Sequence, residues 1–590
     1  MRKRRLWLGL SLLLVAALVL TACPAPVEPV EPVEPIEPVE PVEPVEPVEP
    51  VEPVVGEPIY GGTLTYLMDW MHEDPGSPDM ADYNWAATCW LMPILENPII
   101  GDFIKYGPRG TGEFFLGMPE YIPPEYWKGE LLEDWEITLE RMVWYVRPGI
   151  YWAADHVDFM ESRELVAEDL VADLIYMRDV VGWYVASLEG PIYATDKYTL
   201  VIETPNFDID FIYNLGYTEW GGHVIPPELV EQGLQDSWES QVGTGPFILN
   251  EYVLGSHMKW ERNPNYWDTT PINGVEYPIP FVDYMIMPIL PDPATQVAVL
   301  RTGRADYFWY VPSEHWRTLD ETAPGILKAV FAGVQGYGTY LNVLAPPFDS
   351  VEVRRAVAIG TNRNAFAVIQ GVAGLPIHWF PIIPGAQGYT PLEELPANIR
   401  ILYDYDPVEA KRLLGLAGYP DGFTVELWTE TDPLWMDRAD LLASQWIQFG
   451  VTVEIKATDR VSRTAHQVDA TYANMMYDEF GAANSGAFLN WIAGGARTGW
   501  LNERYDELVI DLAPVEPDAA KRTELLKEAS LLFLYDAAIL PHDFIGAAQY
   551  WWPWIKNYYG EVGVGSWNNI DLMAHVWLDL ELKAEMGFGR

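Results

Sequence analysis

The spacing of apolar and polar positions changes several times along the chain, and each spacing predicts a different element. Leu6 to Leu20 is an apolar run, too short to span a bilayer comfortably. Residues 27–53 repeat a triplet, Val-Glu-Pro with one Ile-Glu-Pro. Proline at every third position forbids helix and sheet and favours polyproline II. The segment therefore predicts a stiff stalk, on the order of 80 Å if fully extended. Beyond Gly56 the pattern becomes mixed. Leu165, Leu170, Leu174 and Ile175 fit one helical face, with acids between them. Asp349 followed by Glu352 predicts a capped helix start, and Asp406-Pro407-Val408-Glu409 predicts another, running through Leu413 and Leu414 to a stop near Gly418. Phe423 to Trp428 alternates as a strand. Ala439, Leu442, Ala443 and Trp446 share a helical face that ends at Gly450, and Val451 to Ile455 is a second strand. Strand, helix and strand with tight glycine stops predict a βαβ unit, hence a parallel pair with a right-handed crossover. The fold class expected is α/β.

The N-terminus adds an address to this picture. Arg2-Lys3-Arg4-Arg5 precedes the apolar run, and Leu20-Thr21-Ala22-Cys23 follows it. This resembles the bacterial lipobox, in which the cysteine is acylated and becomes the new first residue. A signal peptide over 1–22 and a lipidated Cys23 at the head of a stalk over 23–55 are expected, holding the body outside the membrane. The only other cysteine, Cys89, lies among apolar residues and reads as a small buried hydrophobe, so no intramolecular disulfide is expected.

Charge narrows the partners. The chain carries a formal net charge of -50. Such a chain is repelled by nucleic acid and by anionic lipid, which sets nucleic-acid binding aside. No G-x-x-x-x-G-K-[ST] phosphate loop is present. Around Ser566, Val564 and Asn568 stand where a nucleophile elbow needs glycines. The nine histidines form no metal pair at helical spacing, and His72-Glu73-Asp74 reads as a solvated loop. No cofactor, no metal and no enzymatic activity are expected.

Several blocks carry a more specific message. They are Gly61-Gly62-Thr63-Leu64, Gly243-Thr244-Gly245-Pro246-Phe247, Arg262-Asn263-Pro264-Asn265-Tyr266-Trp267 and Leu300-Arg301-Thr302-Gly303-Arg304-Ala305-Asp306. Further on come Leu341-Asn342, Pro346-Pro347-Phe348, Val353-Arg354-Arg355-Ala356-Val357, and Tyr405-Asp406-Pro407 through Gly422-Phe423. In this order and spacing they resemble family 5 extracellular solute-binding proteins, the oligopeptide- and dipeptide-type binding components of ABC importers. The resemblance implies a two-lobed periplasmic-binding-protein-like fold. Lobe I would use 56–95, 222–338 and 546–590, with a subdomain inserted at 96–221, and lobe II would be 339–545. Chain crossings near Tyr340 and Phe544 would form a hinge. The signature blocks themselves read as scaffold. A monomer that meets permease subunits of an ABC transporter is implied.

The ligand is open between a small peptide and an oligosaccharide. Peptide-binding members of the family carry a tryptophan, two residues and then an aspartate that pairs with the ligand's α-amino group. Here the aspartate's place falls on Phe480 or Gly481, within Met476-Tyr477-Asp478-Glu479-Phe480-Gly481. Asp478 or Glu479 substitutes only if the loop shifts. Sugar faces stack on aromatic rings, and the chain has 26 tryptophans. Trp70, Trp379, Trp428, Trp435 and Trp491 fall near strand ends or in loops where such folds build a cleft, and Asp69 follows the first strand. The candidate ligand residues are therefore Asp69, Trp70, Trp379, Trp428, Trp435, Tyr477, Asp478, Glu479 and Trp491. A lipid-anchored glycan hydrolase using a carboxylate pair, and a surface adhesion or sensory lipoprotein, are the alternatives.

Overall fold

Two long strands join everything else. The computed structural model describes residues 56–589 apart from 69–74, 80–84, 115, 118–121, 182–187, 206–214, 217–222, 370–380, 469, 482–488, 490–491 and 566–567. One ten-stranded sheet runs through these residues. In chain order its strands are β1 (Thr63–Met68), β2 (Phe247–Val253), β3 (His257–Arg262), β4 (Tyr284–Pro288), β5 (Tyr307–Pro312), β6 (Leu327–Leu341), β7 (Phe423–Glu430), β8 (Val451–Thr458), β9 (Met475–Gly481) and β10 (Ile539–Trp551). Their spatial order is β8-β7-β9-β6-β10-β5-β1-β4-β3-β2. β1 lies parallel to β4 and β5. β7 lies parallel to β8 and β9. The long antiparallel pair β6 and β10 bridges these two parallel groups, running from Leu327↔Trp551 to Tyr340↔Ile539. Its register breaks between Ala332 and Gly336.

The apolar residues separate accordingly. A large core gathers around β1, β4 and β5 and extends past Trp260, Trp309 and Trp554. A second core lies between Tyr337 and Leu540 in sequence, built on Val353, Val357, Leu414, Leu427, Leu442, Trp446 and Val451. A separate four-stranded antiparallel sheet, in the order Leu132–Ile137, Arg141–Val146, Thr199–Glu203 and Ile192–Asp196, falls within 96–221.

The predicted βαβ unit is present. β7 and β8 pair in parallel from Phe423↔Val451 to Glu430↔Thr458. The helix between them spans Pro433–Trp446 and is capped by Asp432, whose carboxylate accepts from the Leu434 and Trp435 amides. It starts at Pro433, ahead of the Ala439 at which the apolar face begins, because proline at the first position needs no amide partner. Gly450, at φ 99°, closes the unit. The helix Pro407–Leu416 is capped by Asp406 as expected. At the neighbouring helix, Val351–Ile359, the cap is Ser350 and not Asp349: the Ser350 hydroxyl accepts from the Val353 amide and donates to Glu352. The helix over Ala167–Tyr176 leaves Leu165 outside, although Leu165 is buried. Cys89 is a buried free thiol.

The signature blocks do structural work. The Gly245 amide donates to the Ile94 carbonyl at 2.8 Å. A Cβ on Gly243 would overlap that same oxygen, so only glycine fits. Asn263 donates to the Gly245 carbonyl at 2.9 Å. The Tyr266 hydroxyl and Trp267 indole both donate to the buried Glu96 carboxyl, at 2.8 and 2.9 Å. Asp306 accepts from the Thr65 amide, the Trp554 indole and Lys583, tying β1 to the C-terminal segment.

Candidate functional site

In α/β sheets, ligands meet the carboxyl ends of parallel strands. β7 ends at Glu430 and β9 at Gly481, and the helix Pro433–Trp446 begins beside them. Around these ends the structure buries an unusual number of charged groups. Arg463, on the helix Arg460–Val468, donates from Nε to Glu430 at 2.8 Å and pairs through its Nη1 with Asp478. The side chains of Arg463 and Asp478 are 5% and 2% exposed, so water screens little of this interaction. A second largely buried guanidinium, Arg497, lies near enough to interact with Arg463 and Tyr340, and Asp478 Oδ2 has no hydrogen-bond partner among the described residues.

Trp435 stands at the centre. Arg463 packs over its ring at 4.6 Å. Tyr337 and Tyr477 meet the ring edge-on, at 5.4 and 6.1 Å. Beyond Trp435, Arg438 is fully buried, over the Tyr337 ring at 3.9 Å and 3.7 Å from Asp543. None of its three nitrogens has a hydrogen-bond partner among the described residues. Burial pushes the Asp543 carboxyl up to about 7, with Arg438 pulling the other way. Burial, then Arg363 and Arg438, hold His542 well below the usual imidazole range. His542 is 3.2 Å from the Thr339 hydroxyl and packs on Phe366 and Tyr477. Burial likewise raises the Tyr477 phenol.

The structure brings together three of the residues nominated from sequence: Trp435, Tyr477 and Asp478. Glu479 is half-buried at the same strand end, and its carbonyl accepts from the Tyr340 hydroxyl at 2.8 Å. Trp428 is not beside Trp435. It stands against His466, 4.6 Å away, and packs on the larger core, because strand alternation sends it to the face opposite Leu427. Asp69, Trp70, Trp379 and Trp491, like Cys23 and the stalk, lie outside the described residues. Sequence reasoning missed Arg438, Arg463, Glu430, His542 and Asp543. For Arg438 a signal exists: it falls three residues after Trp435 and four before Leu442, a charge on the apolar stripe of its helix.

Among the described residues no group of His, Cys, Asp and Glu is placed to hold a metal ion. No described helix is long and apolar enough to cross a membrane.

Comparison with known proteins agrees with this geometry. Residues 127–499 match the family model for bacterial extracellular solute-binding proteins, family 5 Middle. The dipeptide-binding protein of Escherichia coli (strain K12) is 24% identical over 474 residues, covering 73% of this chain and 83% of that protein. Di/tripeptide-binding protein 3 of Pseudomonas aeruginosa (strain UCBPP-PA14) is 25% identical over 370 residues, 59% of this chain and 64% of that protein, just under two thirds of its length. Among solved structures, the ABC-transporter-associated periplasmic binding protein DppA from Helicobacter pylori, in complex with the peptide STSA, superposes with a TM-score of 0.65 at 19% identity, over 88% of this chain and 99% of that one. The signature blocks, the sheet that joins two parallel groups and the match over most of the body place this chain in the bacterial extracellular solute-binding proteins, family 5.

Proposed function

We propose that the protein captures a short peptide between two lobes outside the cytoplasm and hands it to an ABC import permease, as a binder and not as an enzyme. The lobes are those expected from sequence, 56–95 with 222–338 and 546–590 against 339–545, and 96–221 is the inserted subdomain. The hinge is the β6–β10 pair, where the register breaks between Ala332 and Gly336. Closure about a few such residues is a usual binding motion. Acylation of Cys23 anchors the body, and the Val-Glu-Pro stalk spaces it from the membrane.

The observation that carries the peptide reading is Asp478. It is buried in the middle of β9 and keeps one oxygen without a hydrogen-bond partner among the described residues. A ligand ammonium supplies that oxygen with a donor, and a buried charge needs such a partner. Asp478 thus stands in for the aspartate missing at Phe480 or Gly481. Trp435 argues against a sugar platform: it is only 7% exposed and its ring is already packed by Arg463, Tyr337 and Tyr477.

Native mass spectrometry of the purified chain, before and after denaturation, tests the reading. Release of a peptide series is expected. Release of an oligosaccharide would sink it and would return the tryptophans to the front of the site.

A further inference from the structure

Natural sheets protect their edges with bulges, prolines or a covering element, because an open edge offers a row of unpaired backbone groups to any other strand. At one edge of the ten-stranded sheet, β2 is interrupted by a bulge between Leu249 and Glu251. At the other edge, β8 has neither bulge nor proline, and it pairs with β7 without a break from Phe423↔Val451 to Glu430↔Thr458. Bonds at its two ends fix which backbone groups face which way. The Phe423 amide donates to the Gly450 carbonyl, and the Thr431 amide donates to the Thr458 carbonyl. The even-numbered residues of β8 therefore face β7, and the amides and carbonyls of Val453, Ile455 and Ala457 point away from the sheet. No bond to these outward groups is found among the described residues. The side chains alternate in step: Val453 and Ile455 pack against the second core, and Thr452, Glu454 and Lys456 lie exposed on the other face.

We propose that β8 is a self-association edge, at which two copies of the chain pair antiparallel about a two-fold axis and continue the sheet from one copy to the other. Charge selects the register. With Ile455 on the axis, the outward groups of Val453, Ile455 and Ala457 meet their counterparts. Glu454 of each copy then stands opposite Lys456 of the other, in the close, non-hydrogen-bonded pairs where side chains interact most. One pairing step to either side, Glu454 or Lys456 faces itself instead, and like charges directly opposite are destabilising. Within one copy Lys456 is 3.9 Å from Glu426, too far for a hydrogen bond, and it stays exposed. On the opposite face Val453 meets Ala457, which carries the apolar side of the sheet across the axis. A pair of strands this short buries less than a standard interface, so the association is weak. The family resemblance implies a monomer, and this proposal departs from it. It does not rest on the peptide reading.

Sedimentation of the purified chain up to about 200 µM tests it, a range that reveals micromolar association. Salt at about 0.15 M limits the repulsion between two acidic copies to nearby charges. The mass of the wild type rises with concentration toward that of two chains. Glu454→Lys alone and Lys456→Glu alone each weaken association by about tenfold or more, because like charges then face each other. Mixing the two single variants restores it, since every position again faces the opposite charge. The double variant Glu454→Lys/Lys456→Glu restores it as well. Ala457→Pro removes an outward donor but no bond to β7, and it weakens association without lowering the melting temperature of the dilute chain. A wild type that stays a single chain throughout the range overturns the proposal. Association that survives the single charge reversals, or that mixing does not restore, means that the copies meet elsewhere or in another register, and overturns it too.

Discussion

At the scale of single residues, the site is organised by which charges are satisfied. Arg463 holds two carboxylates, Glu430 and Asp478, in a nearly dry setting. Arg463→Met strands both of them, and stranding a buried ion costs about 3–5 kcal/mol. Arg412→Met removes a pair with Glu409 whose side chains are 56% and 29% exposed, and such solvent-screened surface pairs contribute little to stability. Urea unfolding of the two variants should show this contrast, and equal midpoints would mean that water reaches Arg463. Asp478 also makes a functional prediction. If it receives the ligand's ammonium, wild type rejects N-acetyl trialanine relative to trialanine by about tenfold or more. Asp478→Asn should lose that discrimination, as calorimetry would reveal; retained discrimination would reassign the amine to another acid. Sequence alone named Tyr477 and Asp478 because they sit next to a recognisable family position, and Trp435 as a tryptophan near a strand end. It missed Arg463 and Asp543 because nothing local marks them: Arg463 reaches Glu430 across 33 residues, and Asp543 meets Arg438 from another strand altogether.

At the scale of elements, legibility follows how local the causes are. The β7–helix–β8 unit reads directly from periodicity, caps and glycines, because each signal acts within a few residues. The β6–β10 pair does not, since Leu327 finds its partner at Trp551, far along the chain. The misplaced cap has the same lesson in miniature. Asp349 and Ser350 are both competent caps, and backbone geometry picked Ser350, whose hydroxyl reaches the Val353 amide. The two glycines of the βαβ unit look alike in sequence but not in structure. Gly422 has φ +77°, and a Cβ there would overlap the Gly450 carbonyl. Gly450 has φ +99°, with its nearest neighbour to a Cβ at 3.5 Å. Gly422→Ala therefore combines left-handed strain with a backbone clash, about 3 kcal/mol in all. Gly450→Ala carries the strain alone, about 1–2 kcal/mol. Denaturant midpoints should rank them in that order, and the reverse order would mean that the turn at Gly422 relaxes freely.

At the scale of the whole molecule, the acidity of the chain and the burial of its acids act together on stability. Burial raises Glu96 and Asp173 to about 8 and Asp571 and Asp543 to about 7. Glu130 is also raised well above the usual carboxyl range, by burial and by the nearby Asp571 and Glu96. Each of these groups holds a proton in the folded chain at a pH where the unfolded chain has released it. Stability must then fall as pH rises from the ordinary carboxyl range through 7 to 8. Three buried histidines act the other way. His223 is held at about 4, and His542 and His575 are held well below the usual imidazole value, chiefly by burial. Their contribution is present above the ordinary imidazole pKa of about 6.5 and is lost as pH falls below it. Between pH 6.5 and 8 only the carboxyl effect operates, and the relief of self-repulsion in a chain of net charge -50 reinforces it. The melting temperature should therefore rise, on the order of 5 °C, as pH is lowered from 8 to 6.5, and then level off as the histidines begin to charge. Glu96→Gln, which cannot ionise beside Tyr266 and Trp267, should flatten the upper part of that slope. A melting temperature that holds or increases from pH 6.5 to 8 would mean that these interior acids are already ionised in the folded chain, and that cations or water reach the carboxyl cluster at Glu96, Glu130 and Asp571.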